Sequence, residues 1–265
     1  MNKSKTISDS QLVSRRSVLA STAATVVAMM AGGSVRNAVG STTTKARRAP
    51  PADNDQSPKA FVYTELPMSS PFTQAIWQDI NIALLSQPGL LNKTWLTGSD
   101  SYTLGGFYAF NSIENAQLFV TGFFPEVARG FGVAQTSRIF DTTDTEEAGR
   151  DLGSPFFGAK PTRNPGAFVY TEVQVNVPFK NAPWRERNPA LRHQPGLVSK
   201  TWLSGLHTQT LGGIDVFDSV PKAKQFALND FPRTAKKLNA AFYTRVFDAR
   251  IGESASRHMS SPFFI

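Results

Sequence analysis

The 265-residue chain contains no cysteine and only three histidines. Without cysteine it can form no disulfide, no thiolate metal site and no iron–sulfur cluster, and it has no cysteine nucleophile. His193, His207 and His258 lack the spacing of a metal site. The glycine patterns of nucleotide-binding loops and the Gly-x-Ser-x-Gly motif of hydrolases are also missing. We therefore expect a protein with no resident metal, haem or nucleotide cofactor.

Aromatic side chains are absent from the first 59 residues, which differ in composition from all that follows. Arg15 and Arg16 directly precede a modestly apolar run over residues 19–33, a pattern typical of a twin-arginine export signal. We predict a signal peptide over residues 1–40, a disordered spacer over residues 41–59, and a periplasmic or secreted protein that meets the twin-arginine export machinery. The alternative is a membrane anchor, but the run is shorter than the ~20 apolar residues that span a bilayer. No stable membrane span is expected after processing.

The rest of the chain contains the same pattern twice. Residues 60–157 match residues 167–264 at a constant offset of 107 positions, and 44 of these 98 pairs are identical. A period of this length is that of a small domain rather than a solenoid unit. The pattern predicts a tandem duplication, with repeat 1 (60–157) and repeat 2 (167–265) joined by a linker over residues 158–166.

The net charge of +8 is unevenly distributed. Repeat 1 has 4 basic and 10 acidic residues (net −6), whereas repeat 2 has 13 basic and 7 acidic residues (net +6). The two repeats therefore cancel, and the net positive charge comes from elsewhere. Residues 1–59 have 9 basic and 3 acidic residues, and the linker adds Lys160 and Arg163. We therefore expect no nucleic-acid partner. Opposite charges favour association of the repeats as an intrachain pseudo-dimer, although they could also simply be solvated on outer faces.

Hydrophobic periodicity indicates the same order of elements in both repeats. In repeat 1 it predicts a strand over 61–66, a helix over 72–86, a hairpin over 90–110, a helix from Ser112 that restarts at Pro125, and a last strand over 135–141. In repeat 2, Pro183 and Pro189 should shorten or break the first helix. The order is βαββαβ, which predicts an α+β protein of two ferredoxin-like units.

Several motifs together resemble the YdhR-like monooxygenase family. They are Gln87-Pro88-Gly89-Leu90, Lys93-Thr94-Trp95, Gly105-Gly106-Phe107-Tyr108-Ala109-Phe110 and Phe140-Asp141, with counterparts at the offset positions of repeat 2. The resemblance implies the dimeric α/β-barrel superfamily, and here two ferredoxin-like repeats packed sheet to sheet within one chain. It further implies an oxidoreductase that oxidises a small aromatic or polyketide-like compound without a cofactor. The chain departs from the family in its leader, its tandem arrangement, and Asp215 at the position equivalent to Tyr108.

Period-two alternation along the strands suggests which side chains face the space between the sheets. The predicted catalytic residues are Glu65, Arg138, Glu172 and Arg245. The predicted substrate pocket consists of Tyr63, Lys93, Trp95, Tyr108, Tyr170, Lys200, Trp202 and Asp215. The assignment of faces is least secure for strand 90–97, since a slip of one residue would turn Trp95 outward.

An aromatic cavity with a few charged groups suits a small hydrophobic or aromatic ligand. A buried Glu or Lys could deprotonate a phenol or enol, an arginine could stabilise the anion, and the indoles could stack on the ring. Alternatively, the charges form a satisfied ion network, the tryptophans are core, and the Tyr108–Asp215 difference is drift. The protein would then be a non-catalytic hydrophobic-ligand-binding barrel, or a filled barrel with no cavity.

Overall fold

The computed structural model describes residues 57–72, 74–175 and 177–265. The predicted signal peptide and nearly all of the predicted spacer lie outside these residues. Within the described ranges, no helix is both long enough and apolar enough to cross a membrane.

Repeat 1 contains four strands and four helices. In chain order they are β1 (Ala60–Pro67), α1 (Gln74–Leu85), β2 (Leu90–Thr97), β3 (Thr103–Phe110), α2 (Ile113–Leu118), α3 (Phe124–Phe131), β4 (Thr136–Asp141) and α4 (Glu146–Asp151). A π-helical turn, Phe119–Phe123, joins α2 to α3.

Repeat 2 follows the same order. Its elements are β5 (Ala167–Gln174), α5 (Trp184–Arg192), β6 (Leu197–Gly205), β7 (Thr210–Phe217), α6 (Val220–Gln225), α7 (Phe231–Lys237), β8 (Phe242–Asp248) and α8 (Glu253–His258). The predicted βαββαβ order is confirmed in both repeats, and α4 and α8 are additions to it.

Local sequence explains where several helices begin and end. The Ser112 hydroxyl caps α2 by accepting a hydrogen bond from the Asn115 amide. Pro125 occupies the first turn of α3, and Gly132, in the left-handed region, ends that helix. In repeat 2, α5 begins after Pro183 and carries Pro189 inside it, so it has nine residues against twelve in α1. The expected shortening is confirmed.

All eight strands belong to one antiparallel sheet with the order β2-β3-β1-β4-β6-β7-β5-β8. The repeats meet at a short ladder between β4 and β6, where Phe140 pairs with Gly205 and Asp141 with Ser204. The two edge strands, β2 and β8, are not joined by a ladder. A single bridge, Gly98 with Phe247, links the end of β2 to β8.

The last helix of each repeat packs on the other repeat. The Trp95 amide of β2 donates to Ser256 Oγ of α8 (2.9 Å), and the Lys93 amide donates to the Met259 carbonyl (3.2 Å). In the equivalent contact, the Lys200 amide of β6 donates to the carbonyl of Leu152, the residue that follows α4 (3.1 Å). These exchanged segments cover part of the edge strand β2 and the part of β6 that does not pair with β4.

Buried side chains form three clusters. One lies between the sheet and the helices of repeat 1, one between the sheet and the helices of repeat 2, and a central one is shared by both repeats. The central cluster is rich in phenylalanine and includes Phe156, Phe157, Phe263 and Phe264 from the two Ser-Pro-Phe-Phe segments. Both faces of the sheet are therefore buried.

Candidate functional site

Glu65 lies at the centre of a polar cluster between the repeats. Its Oε2 accepts hydrogen bonds from the hydroxyls of Tyr63 (2.8 Å) and Tyr243 (2.6 Å), and its Oε1 accepts from Arg245 Nε (3.0 Å). Arg245 and Tyr243 both belong to β8. The carboxylate therefore ties β1 of repeat 1 to β8 of repeat 2.

Glu172 forms a related but looser cluster. Its Oε2 accepts from the Tyr170 hydroxyl (2.5 Å) and lies 3.5 Å from Arg138 Nε. The Tyr63 and Tyr170 rings stack with centroids 3.9 Å apart, which joins the two clusters. Burial and the adjacent carboxylates hold the pKa of both tyrosine hydroxyls well above its usual value, so these groups stay protonated and act as donors.

The four predicted catalytic residues thus lie between the repeats, as expected, and their charged groups are engaged with one another across them. This arrangement is the satisfied ion network that buried charges require. The two tyrosines that donate to Glu65 and Glu172 stack on each other. A catalytic role for Glu65, Arg138, Glu172 and Arg245 stays a prediction.

Six of the predicted pocket residues lie on the opposite face of the sheet from the one predicted. The clusters between sheet and helices contain Lys93, Trp95 and Tyr108 in repeat 1, and Lys200, Trp202 and Asp215 in repeat 2. The central cluster instead contains Leu96, Phe107 and Ala109 from β2 and β3. The expected faces of β2 and β3 are therefore wrong. The alternation was misread because both faces of these strands are buried, so neither has the polarity of a solvent-exposed face.

Repeat 2 has a cavity of about 330 Å³ between its helices and its sheet. Its walls are mainly apolar, and its polar groups include Lys200, Arg187, Lys237 and Thr234. The apolar wall is formed by residues that include Val173, Leu191, Leu211, Phe226 and Phe231, and Trp202 also faces this space. An apolar cavity with a few polar groups is the usual form of a small-molecule site.

Lys200 and Asp215 form a buried ion pair beneath this cavity. Lys200 Nζ lies 2.8 Å from Asp215 Oδ1, and the exposed fractions of the two side chains are 4% and 0%. Asp215 Oδ2 accepts a hydrogen bond from Thr171 Oγ1 (3.0 Å). Burial lowers the pKa of the Lys200 amine, and Asp215 only partly offsets this. The amine form of Lys200 is therefore easier to reach than in a surface lysine.

Helix α5 carries both Arg187, which lines the cavity, and Asn188, which binds the Trp202 indole. Asn188 Oδ1 accepts a hydrogen bond from the Trp202 indole nitrogen (3.0 Å), and Asn188 Nδ2 donates to the Ala148 carbonyl of α4 (3.1 Å). The amide thereby fixes the orientation of the indole against Lys200, whose Nζ lies 4.5 Å from the ring centre. Arg187, one residue earlier, donates to Thr234 Oγ1 (2.8 Å).

The corresponding space in repeat 1 is nearly filled. About 20 Å³ remains beside Lys93, Trp95 and Tyr108, because the Tyr108 ring occupies volume that the smaller Asp215 leaves free. Lys93 Nζ lies 3.0 Å from the centre of the Trp95 ring. Complete burial holds the pKa of Lys93 well below its usual value.

A larger open cavity of about 640 Å³ lies farther out in repeat 1. Apolar side chains such as Phe72 and Phe131 and the hydroxyl-rich loop after β2 line it. No lysine or arginine is among its lining residues within the described chain. It therefore lacks the buried amine that distinguishes the cavity of repeat 2.

Repeat 2 has a polar side chain at several site positions where repeat 1 has an apolar or aromatic one. Ile80, Tyr108, Phe123 and Val127 of repeat 1 correspond to Arg187, Asp215, Asp230 and Thr234 of repeat 2. Sequence reasoning singled out Asp215 and missed Arg187, Thr234 and Asn188. Comparison of the repeats at the offset of 107 positions identifies Arg187 and Thr234, because each replaces an apolar residue at the equivalent helical position of repeat 1. Asn188 was detectable as an asparagine present in both repeats, at Asn81 and Asn188, inside a helix.

Within the described ranges, no group of three or more histidine, aspartate or glutamate side chains is placed to hold a metal ion.

Comparisons with known proteins give similarities of fold only. No family model matches the chain, and no curated protein matches its sequence. Among solved structures, an anthrone oxidase-like protein is 17% identical and has a TM-score of 0.42, with 72% of this chain and 91% of that chain covered. A monooxygenase-like protein from Listeria innocua is 9% identical (TM-score 0.42, coverage 72% and 94%). A ferredoxin fold protein from Listeria monocytogenes, described as related to antibiotic biosynthesis monooxygenases, is 10% identical (TM-score 0.39, coverage 72% and 95%). These three scores are below 0.5, so the likenesses say nothing about the function of this α+β chain.

Proposed function

We propose that the repeat 2 cavity binds a small aromatic compound with an acidic hydroxyl and oxidises it with molecular oxygen, as a cofactor-independent monooxygenase. The observation that carries this proposal is the buried Lys200–Asp215 pair beneath an apolar cavity of about 330 Å³ beside Trp202. Such a pair can bind a polar group of a ligand above it, while the walls favour an aromatic body.

The chemistry begins with a proton transfer. Burial lowers the pKa of Lys200 and so enlarges the fraction of molecules in which its amine is neutral and can accept the proton of a phenol or enol. The resulting ammonium is held by Asp215 at 2.8 Å and faces the enolate oxygen, which stabilises the anion in a site that largely excludes water. The Trp202 indole, held by Asn188, offers a flat surface for the ring.

Oxygen then reacts with the electron-rich carbon of the enolate. For a substrate with a CH₂ group next to the conjugated system, addition of O₂ gives a hydroperoxide. Loss of water from the hydroperoxide leaves a carbonyl group. The net change is CH₂ + O₂ → C=O + H₂O, in which the substrate supplies all four electrons. The reaction therefore needs no external reductant.

The proposal also includes how the two repeats are arranged within the chain. The central cluster shared by the repeats, the ladder between β4 and β6 and the bridge from Gly98 to Phe247 support an intrachain dimeric α/β barrel formed by tandem duplication. The 44 identities in 98 paired positions support that origin. Membership of the YdhR-like family belongs to the same proposal and rests on the motifs quoted above.

Oxygen consumption by the purified protein with a panel of anthrones and quinols tests the activity. The informative variant is Lys200→Met/Asp215→Leu, which removes both charges together, because replacing a whole buried pair by apolar groups is often neutral for stability. We expect one O₂ consumed per anthrone oxidised and a loss of about 100-fold or more in kcat/KM in this variant.

Lys93→Met is the matched control, since it removes the equivalent lysine from the filled site of repeat 1. It should leave kcat/KM within about twofold. Equal activity of the double variant and the wild type would refute the role of the pair. The absence of turnover with every compound, together with binding at Lys200, would favour the non-catalytic ligand-binding protein.

We also propose export through the twin-arginine pathway, on the strength of Arg15-Arg16 before the apolar run. Export predicts that the full-length protein accumulates outside the cytoplasm, and that Arg15→Lys/Arg16→Lys retains it inside. Fractionation of expressing cells would measure this, and unchanged distribution of the variant would refute it.

A further inference from the structure

We infer that the ligand of the repeat 2 cavity carries a carboxylate group, and that Arg187 is the residue that selects it. The inference deepens the proposed function and rests on the same cavity. Lys200 at the base would meet the hydroxyl end of the ligand, and Arg187 on α5 would meet the acid.

The three arginines of α5 differ in their partners. Arg185 forms an ion pair with Glu147 (2.8 Å), and Arg192 forms one with Asp151. Both are exposed, and both partners belong to α4 of repeat 1. Arg187 is half-buried and lines the cavity. Within residues 57–72, 74–175 and 177–265, it has no carboxylate at ion-pair distance, and its hydrogen bond is to Thr234 Oγ1.

The acidic groups nearest to Arg187 are engaged elsewhere. Asp215 is bound to Lys200 and Thr171. Asp230 lies 3.3 Å from Arg233 and accepts a hydrogen bond from Gln194 (3.0 Å). The cavity therefore keeps one uncompensated positive charge on a half-buried side chain, with Lys237 adding a second charge among the lining residues. An unpaired cation at an apolar wall is costly, and an anionic ligand would remove that cost.

The pKa of Arg187 also indicates a positive charge that its neighbours do not fully compensate. Burial lowers this pKa, and the charges of Asp215 and Asp230 do not fully compensate. The free guanidinium would gain more from an anion here than at the surface, because the low dielectric of the cavity strengthens their attraction.

The sequence of repeat 1 lacks both members of this arrangement. Ile80 stands in place of Arg187, and Val127 in place of Thr234. The residue that would bind the acid and the hydroxyl that orients it occur together only in repeat 2, where the space between helices and sheet beside the buried lysine is open. This correlation ties Arg187 to the cavity rather than to the fold that both repeats share.

Guanidinium geometry narrows the ligand class. The planar fork of arginine matches a carboxylate with two parallel hydrogen bonds, whereas a lysine would present a point charge. The structure therefore favours a flat aromatic acid with a phenol or enol at its other end. A hydroxynaphthoate is a probe of this class.

Calorimetric titration with 6-hydroxy-2-naphthoate and 2-naphthol tests the inference at neutral pH, where only the first compound is anionic. The wild-type protein should bind the naphthoate at least about tenfold more tightly, because only its carboxylate can form charge-assisted hydrogen bonds with Arg187. In Arg187→Gln that preference should disappear while the dissociation constant for 2-naphthol stays within about threefold. Arg187→Lys should restore part of the preference for the naphthoate. This partial recovery would show that the loss in Arg187→Gln comes from the missing charge and not from misfolding.

Arg185→Gln is the matched control on the same helix and should leave both affinities unchanged. Equal wild-type affinity for the two compounds, or an unchanged preference in Arg187→Gln, would overturn this inference but leave the proposed function standing. If neither compound binds the wild type, the aromatic ligand of the proposed function falls as well.

Discussion

Lys93 and Lys200 occupy equivalent positions in the two repeats, and both are buried beside a tryptophan. Lys200 has Asp215 as its partner. Lys93 has no carboxylate at ion-pair distance within the described chain, and its amine faces the Trp95 ring. A desolvated cation–π contact stabilises an ammonium by about 2 kcal/mol, but complete burial disfavours it, and the net result is a pKa of Lys93 well below its usual value. Burial therefore dominates, and Lys93 lowers the stability of the fold.

We predict that Lys93→Met raises the free energy of unfolding by at least about 1 kcal/mol at pH 7. Because the pKa of Lys93 is lowered in the folded state, the unfolded state binds more protons between that pKa and about 10.4. Wild-type stability should thus rise with pH in this window, and the advantage of the variant should shrink toward pH 10. Urea unfolding of both proteins between pH 6 and pH 10 measures the difference.

Lys200→Met provides the contrast at the equivalent position. It leaves Asp215 buried without its cation and should cost about 3–5 kcal/mol. Equal effects of the two substitutions would contradict the different roles assigned to these lysines.

Which face each residue occupies could be predicted from the sequence for β1 and β4 but not for β2 and β3. Tyr63, Glu65 and Arg138 lie between the repeats as the alternation indicated. Lys93 and Tyr108 lie on the helix-facing side instead, so aromatic and charged side chains do not mark the inner face of β2 and β3. In this sheet the helix-facing side also buries charges, which composition alone does not reveal.

The pairing of β7 with β5 depends on a glycine. Gly212 lies opposite Glu172, and a Cβ at Gly212 would overlap the Thr171 carbonyl oxygen of the neighbouring strand. Gly105 has the same relation to Thr64 in repeat 1. The close approach of the two backbones leaves no room for a side chain, so glycine is required in both repeats.

Gly212→Ala should therefore lower the free energy of unfolding by about 2 kcal/mol or more, because β7 would have to move away from β5. Thermal or urea denaturation followed by circular dichroism measures this.

Gly122→Ala is the comparison for this substitution. Gly122 lies in the π-helical turn of repeat 1 with open space where its Cβ would be. Alanine there should be neutral or stabilising by up to about 1 kcal/mol. A similar loss in both variants would contradict the steric argument.

The order and boundaries of the main elements were predictable because alternation, helical spacing and turn residues agree in two copies of one pattern. Helices α4 and α8 escaped prediction. Each has only six residues, too few for a periodic signal, and each is held by contacts with the other repeat. Such contacts between distant segments leave no local pattern in the sequence.

The two repeats form one cooperative unit in this structure. The central cluster takes its side chains from both repeats, and the pairs Arg245–Glu65 and Arg138–Glu172 cross between them. Removing either repeat would expose the phenylalanines of the other. Neither half retains a complete core when it separates.

Differential scanning calorimetry should therefore show one transition, with a ratio of calorimetric to van't Hoff enthalpy near 1. Two resolved transitions, one for each repeat, would show that the shared cluster contributes little.

The exchange of the last helices has a consequence for the order of synthesis. The edge of β2 is covered at the Lys93 and Trp95 amides by Met259 and Ser256, which leave the ribosome more than 160 residues later. Until then the nascent first half presents an open strand edge, the kind of surface on which other chains can add. The residues that cover this edge are thus translated long after it, and a chain halted before Ser256 would be released with that edge bare.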